Sequence, residues 1–220
     1  MPRHLVNVRL LQENTLPQDS SYRHHERIVR WKGEEGATKY ECHTDCSGLI
    51  DALLKYTYGI SAEQLNAWLH TVHRPLARNY YEAFVSQNGF EKLVMIDAIK
   101  PGDFVAMKFL PWAGDKGHDT GHILVVDGVP VEMARYRFNG ALSRRFAVPL
   151  IDCSSGHGLT DTRYRNGRYH PGIGKGTFSL FTDERGVITG YAWSAAQKSR
   201  YYGSDQRPLA VGRLLTQSKN

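Results

Sequence analysis

The sequence predicts an α+β domain, with N-terminal helices packed on an antiparallel sheet of about five to six strands. Two observations carry this. Helical periodicity is confined to the first half, around an amphipathic stretch at about 46–58. Strand-like runs broken by turn signals fill the second half. At 220 residues the chain suits a single domain able to bury a sizeable core without disulfides or metals.

Residues 1–39 are polar and mixed, and the alternation of Val6, Val8 and Leu10 predicts a short strand. Cys46, Leu49, Ile50, Leu53 and Leu54 then form the i, i+3, i+4, i+7, i+8 stripe of a helix with one buried face. Thr44 or Asp45 can cap it, and Gly59 can end it. Ser61 and Gln64 have the form of a capping box opening a second helix near 62–70. A third is expected at 78–88, with Tyr81, Phe84 and Val85 on one side and Gly89 as its stop. The Pro101-Gly102-Asp103 turn precedes a strand at 104–107. Residues 121–126 form the next strand, and Asp127-Gly128 is expected to make a hairpin into 129–133. Further strands are expected at 147–153, 177–182, 187–194 and 208–215. The Gly-rich, polar stretch 155–176 reads as a long loop, and loops of that length are often functional.

The formal net charge is +6, from 28 Lys and Arg against 22 Asp and Glu. Basic residues are spread out, the densest patch being Arg163, Arg165, Arg168 and Lys175 with Tyr164 and Tyr169 among them. This reads as a solvated basic face, and no zinc-finger, helix-turn-helix or RNA-binding signature accompanies it, so no specific nucleic-acid partner is expected. Neither a signal peptide nor a membrane-spanning stretch is visible, and the compartment stays open between cytoplasm and export with a removed signal. Three irregularly spaced cysteines do not make a disulfide framework.

Cys46 lies in the first turn of its helix, where unpaired N–H groups and the helix dipole favour a thiolate. Free cysteine is also among the most buried residue types, so this position fits a core residue as well as a nucleophile. A thiolate nucleophile needs a base, and the base needs an orienting group. His122 opens a strand directly after Gly121, and alternation puts His122, Leu124 and Val126 on one face. Asp152 interrupts the apolar run Leu150–Cys153 and needs a partner there, either the far ring nitrogen of His122 or backbone N–H groups. Cys153 would then point to the opposite face. His157, in the Gly-rich stretch, is a rival orienting residue.

Asp45-Cys46-Ser47-Gly48-Leu49, followed by the Pro-Gly-Asp turn at 101–103 and Gly121-His122 opening a strand, resembles the NlpC-like cell-wall cysteine peptidases of the papain-like superfamily. The resemblance covers roughly residues 38–154. It implies an N-terminal arm (1–37), a catalytic core (38–154) and a C-terminal sheet extension (155–220) in one papain-like domain. It also implies Cys46 as nucleophile, His122 as base and Asp152 as orienting residue, where family members usually carry His, Asn or Gln. The implied activity is hydrolysis of an amide bond in bacterial peptidoglycan-type peptides through an acyl-enzyme, with no cofactor. Tyr40, Ser47 and His157 are candidates for holding the oxyanion or substrate, beside the Cys46 backbone N–H. The same acyl-enzyme could serve a thiol acyltransferase.

Two other classes compete. Cys42, His43 and Cys46, joined by Cys153, could bind zinc, but the spacing is not that of a standard zinc site; His118 and His122 are four apart, but Asp119-Thr120-Gly121 argues against the helix that would align them, and no metal is expected. A non-catalytic module could use the basic stretch to hold an anionic polymer.

Overall fold

The computed structural model describes residues 1–110, 120–138 and 141–215. The chain begins with helix α1 (Arg3–Asn14), then strands β1 (Ser20–Tyr22), β2 (Ile28–Arg30) and β3 (Glu41–Thr44). Helices α2 (Cys46–Tyr58), α3 (Ala62–Trp68) and α4 (Ala77–Ser86) follow. Strands β4 (Phe90–Leu93), β5 (Phe104–Lys108), β6 (Gly121–Val126), β7 (Val131–Phe138) and β8 (Ala141–Ser154) come next. The short hairpin β9 (Tyr164–Arg165) and β10 (Arg168–Tyr169) leads to β11 (Gly172–Thr182), β12 (Ile188–Ala192), β13 (Tyr201–Gly203) and β14 (Leu209–Leu214). The molecule is therefore α+β with a large antiparallel sheet. That sheet has nine strands in the order β13-β12-β11-β8-β6-β5-β14-β4, with β7 also paired to β8. This exceeds the five or six expected, because β4, β13 and the upper half of β8 carry no clear period-2 signal.

Several expectations change. The predicted N-terminal strand is helix α1: the apolar contacts come from Leu5, Val8 and Leu11, spaced by three, while Val6 and Leu10 are exposed. His4 docks that helix. Its Nδ1 accepts from the Tyr58 hydroxyl at 2.8 Å, and its Nε2–H donates to the Gly102 carbonyl at 2.6 Å. Burial lowers its pKa, as suits a neutral ring. In α4 the buried face is Ala77, Tyr80, Ala83 and Phe84, and Val85 faces outward. The Asp127-Gly128 turn does not close a β6–β7 hairpin. Both strands pair with β8, β7 through Val131↔Ala147 and β6 through Val125↔Ile151 and Val126↔Leu150. The 155–176 stretch is not wholly loop, since it holds β9 and β10 and the start of β11.

The sheet buries both faces. Phe104, Ala106, Ile123, Val125, Ile151 and Cys153 pack against the helices. Val105, Met107, Leu124, Val126, Val148 and Leu150 point the other way, into a core shared with Phe178, Leu180 and Tyr191. On that side Ile96 and Ile99, at the 3-10 turn before β5, complete the core. The expected arm and extension both enter the helix-side core, through Leu5, Val8 and Leu11 and through Ile173, Ala210 and Leu214. No helix among the described residues is long and apolar enough to cross a membrane.

Leu11 has no exposed surface. Leu11→Ala is expected to lower the unfolding free energy by about 2–5 kcal/mol, read from urea denaturation. A loss within experimental error would mean that α1 is not part of the core.

Candidate active site

The first turn of α2 is locked from three sides. Asp45 is the N-cap, and its carboxylate accepts from the Gly48 N–H at 2.7 Å. Arg74 grips the same carboxylate through both terminal nitrogens, at 2.7 and 3.1 Å, and donates to Ser47 Oγ at 2.8 Å. Ser47, a candidate for contacting substrate, is buried in this ion pair instead. Gly48 is required by close approach, since a Cβ there would lie 2.2 Å from Thr44 Oγ1 on β3. The motif residues around Cys46 thus fix the position of the helix start, and Cys46 keeps 6% of its surface exposed.

The β6–β8 ladder stops at Val125↔Ile151. Beyond its end, His122 and Asp152 meet through side chains, His122 Nε2 lying 2.5 Å from Asp152 Oδ2. On the other side of the ring is Cys46, near enough for the two groups to interact electrostatically. With Nε2 spent on Asp152, Nδ1 is the nitrogen left for the sulfur. Burial pushes the His122 imidazolium down. The charge interaction with Cys46 and the hydrogen bond donated to Asp152 outweigh it and raise the group to about 10. Cys46, His122 and Asp152, singled out in the sequence, are therefore brought together.

Asp152 has no exposed surface and is shared more widely than expected. His157 Nε2 also bonds Oδ2, at 2.8 Å, and the Arg163 guanidinium donates to Oδ1 at 2.7 Å. Burial alone would raise the carboxyl. The charges of Arg163 and His157, with the bonds from both histidines, hold it well below the usual carboxylate range. His157 is thus a partner of Asp152 rather than its rival, and it sits behind the carboxylate rather than facing a substrate. Arg163 is in turn clamped by Asp161, Nε to Oδ1 and Nη2 to Oδ2, both at 2.7 Å. Gly174 makes room for it, because a Cβ there would lie 2.6 Å from Arg163 Nε.

Arg74, Asp161, Arg163 and Trp193 join the site without being site candidates in the sequence. Arg163 was grouped with a solvated basic face, but it is buried, while Arg165 and Arg168 are exposed. Its signal was the Asp161-Thr162-Arg163 spacing beside an apolar strand. Trp193 gave no signal. Its indole stacks on His157, with centroids 4.4 Å apart, and meets the His122 ring edge-on at 4.8 Å. Tyr40 packs its ring against the helix-side core, and no hydrogen bond from it to Cys46 or His122 is among the described contacts. Cys153 faces the helices. Its thiol donates to the Thr44 carbonyl at 3.1 Å and lies against Cys42, and burial pushes it up. Cys42 therefore neighbours Cys153, and all three thiols are free.

As for zinc, among the described residues the only trio of potential ligand atoms within 4.8 Å is His122, Asp152 and His157. These already bond one another, and three metal bonds of about 2.0–2.2 Å would break both contacts. The Cys42-His43-Cys46 set does not assemble, with His43 Nδ1 instead 2.8 Å from Ser21 Oγ. His118 lies outside the described residues.

Over 223 residues the chain is 36% identical to the uncharacterized protein R653 of Acanthamoeba polyphaga mimivirus. The match spans 97% of this chain and 96% of that protein. The chain belongs to the R653 family. No family model and no solved structure matches it.

Arg163→Met would leave the Asp152 and Asp161 carboxylates buried without their cation. The expected loss is about 3–5 kcal/mol of unfolding free energy, measured by urea denaturation. The same network sets the pH response. His122 is raised in the fold, so its contribution is complete below about pH 6.5 and is lost as pH rises through about 10. Asp152 is depressed, so its contribution is present above about pH 3.9 and is lost as pH falls through its lower folded value. Replacing Asp152 by Asn should therefore cost more stability at neutral pH than in strong acid; an equal cost at both would contradict the ionised carboxylate.

Proposed function

We propose that this protein is a papain-like thiol hydrolase that cleaves an amide bond through a Cys46–His122–Asp152 triad. The observation that carries the reading is the bond of His122 Nε2 to the buried Asp152 Oδ2, at 2.5 Å, on a ring that has Cys46 near it on the other side. A helix-starting cysteine, a histidine at a strand start and an acid on the adjacent strand are the parts such chemistry needs.

In this mechanism the Cys46 sulfur attacks the amide carbonyl carbon, and the carbonyl π electrons move to oxygen. The first N–H groups of α2, those of Cys46 and Ser47, lie outside the helix ladder and suit the developing oxyanion. Gly48 N–H is spent on Asp45. His122 then gives its proton to the leaving amine as the C–N bond breaks. Water, deprotonated by His122, attacks the thioester carbonyl carbon; the C–S bond breaks, the acyl group leaves as a carboxylic acid, and the sulfur takes back the proton held by His122. Asp152 keeps the imidazole oriented and stabilises its charge. The resemblance to NlpC-like enzymes makes cell-wall peptides the first substrate class to try. An acyltransferase would share every step up to the thioester and differ only in the acceptor.

Native protein treated with iodoacetamide near pH ~6 should alkylate fast and selectively at Cys46, read by peptide mass spectrometry. Cys42 and Cys153 should stay silent, being fully buried. His122→Ala is expected to slow Cys46 by roughly a hundredfold or more. Uniformly slow labelling of all three thiols in wild type would overturn the hydrolase reading and favour an anionic-polymer binding module.

A further inference from the structure

We infer that His157 is a second positioning residue of this site, a ring that donates from both nitrogens and thereby fixes the carboxylate on which His122 is oriented. The inference deepens the thiol-hydrolase reading and rests on it. Its basis is a count of donors and acceptors. His157 Nδ1 lies 2.7 Å from the Trp193 carbonyl oxygen, which can only accept. His157 Nε2 lies 2.8 Å from Asp152 Oδ2. That oxygen also faces His122, while Oδ1 takes the Arg163 guanidinium at 2.7 Å. A carboxylate so placed is ionised and has no hydrogen to give. Both contacts of His157 therefore need an N–H on the ring, and a neutral imidazole has only one.

A ring protonated on both nitrogens is a cation. A lone buried cation would be costly. This one has a carboxylate at hydrogen-bond distance and an indole stacked on it, with planes 24° apart.

The consequence is geometric. Arg163 and Ser154 hold one carboxylate oxygen, and His157 holds the other. Asp152 then cannot rotate away from His122, and Nδ1 of His122 stays aimed at sulfur. Without His157, Oδ2 would have His122 as its one histidine partner, and the pair could turn together.

Two measurements test this. The first is long-range proton–nitrogen NMR on wild-type protein labelled with nitrogen-15 histidine, near pH ~7, with His157 assigned by its absence in His157→Gln. Both ring nitrogens should give protonated-type shifts. One protonated and one bare nitrogen would overturn the inference, without needing a folded variant. The second is the rate of Cys46 alkylation near pH ~6 in His157→Gln and His157→Ala, with folding checked by circular dichroism. Each should be slower than wild type by about tenfold or more, by analogy with partners that orient metal-bound histidines. Gln, which keeps one N–H for Asp152, should be the faster of the two. Wild-type rates in both folded variants would overturn the positioning role. Slow alkylation of wild type itself would instead sink the nucleophile reading and the positioning role with it, leaving the NMR result to decide the charge of the ring.

Discussion

A carboxylate with no access to water is the constraint around which the second half of the chain is arranged. Burying an isolated charge would cost more than the domain's whole stability, so Asp152 exists only with its partners in place. Those partners come from distant sequence. His122 is on β6, Ser154 is on β8 itself, and His157 and Arg163 are on the stretch that follows. That stretch must fold back over the sheet to deliver Arg163, and Asp161 comes along as the counter-charge. The polar, Gly-rich segment is thus ordered by electrostatics where an apolar core could not order it.

A second lock sits across the site, at the head of α2. Asp45 caps the helix and is neutralised by Arg74, which reaches in from the α3–α4 connection. The two locks hold different halves of the same cluster: one fixes the head of the helix that carries Cys46, the other the carboxylate bonded to His122. Between them only a little surface is left open, 6% of Cys46 and 4% of His122.

How far the sequence reveals this depends on where the information lies. Helix α2 was legible because its stripe, cap and stop are all local, and the capping box of α3 formed as its residues dictate. Cys46, His122 and Asp152 stood out because each is an anomaly within its own element: a thiol at a helix head, a histidine at a strand head, an acid in an apolar strand. Helix α1 was misread because Val6, Val8 and Leu10 alternate by chance, whereas its burial is decided by His4 meeting Tyr58 and Gly102. Arg163 was hidden because a sequence cannot say which of several neighbouring arginines turns inward. Trp193 was hidden because its partners are rings some 36 and 71 positions earlier in the chain.

Strand β14 lies between β5 and β4, inside the sheet rather than at its rim. The last described strand therefore fills a slot flanked by two strands made about a hundred residues earlier. Until it arrives, β4 and β5 face each other across a gap, with unpaired backbone edges and with Ala210 and Val211 missing from the two cores. During synthesis the nascent chain can assemble its helices early, but the sheet stays open until residues 209–214 have left the ribosome. Residues 209–214 are in this sense a checkpoint on folding: before they pair, Cys46, His122 and Asp152 sit on an unclosed scaffold.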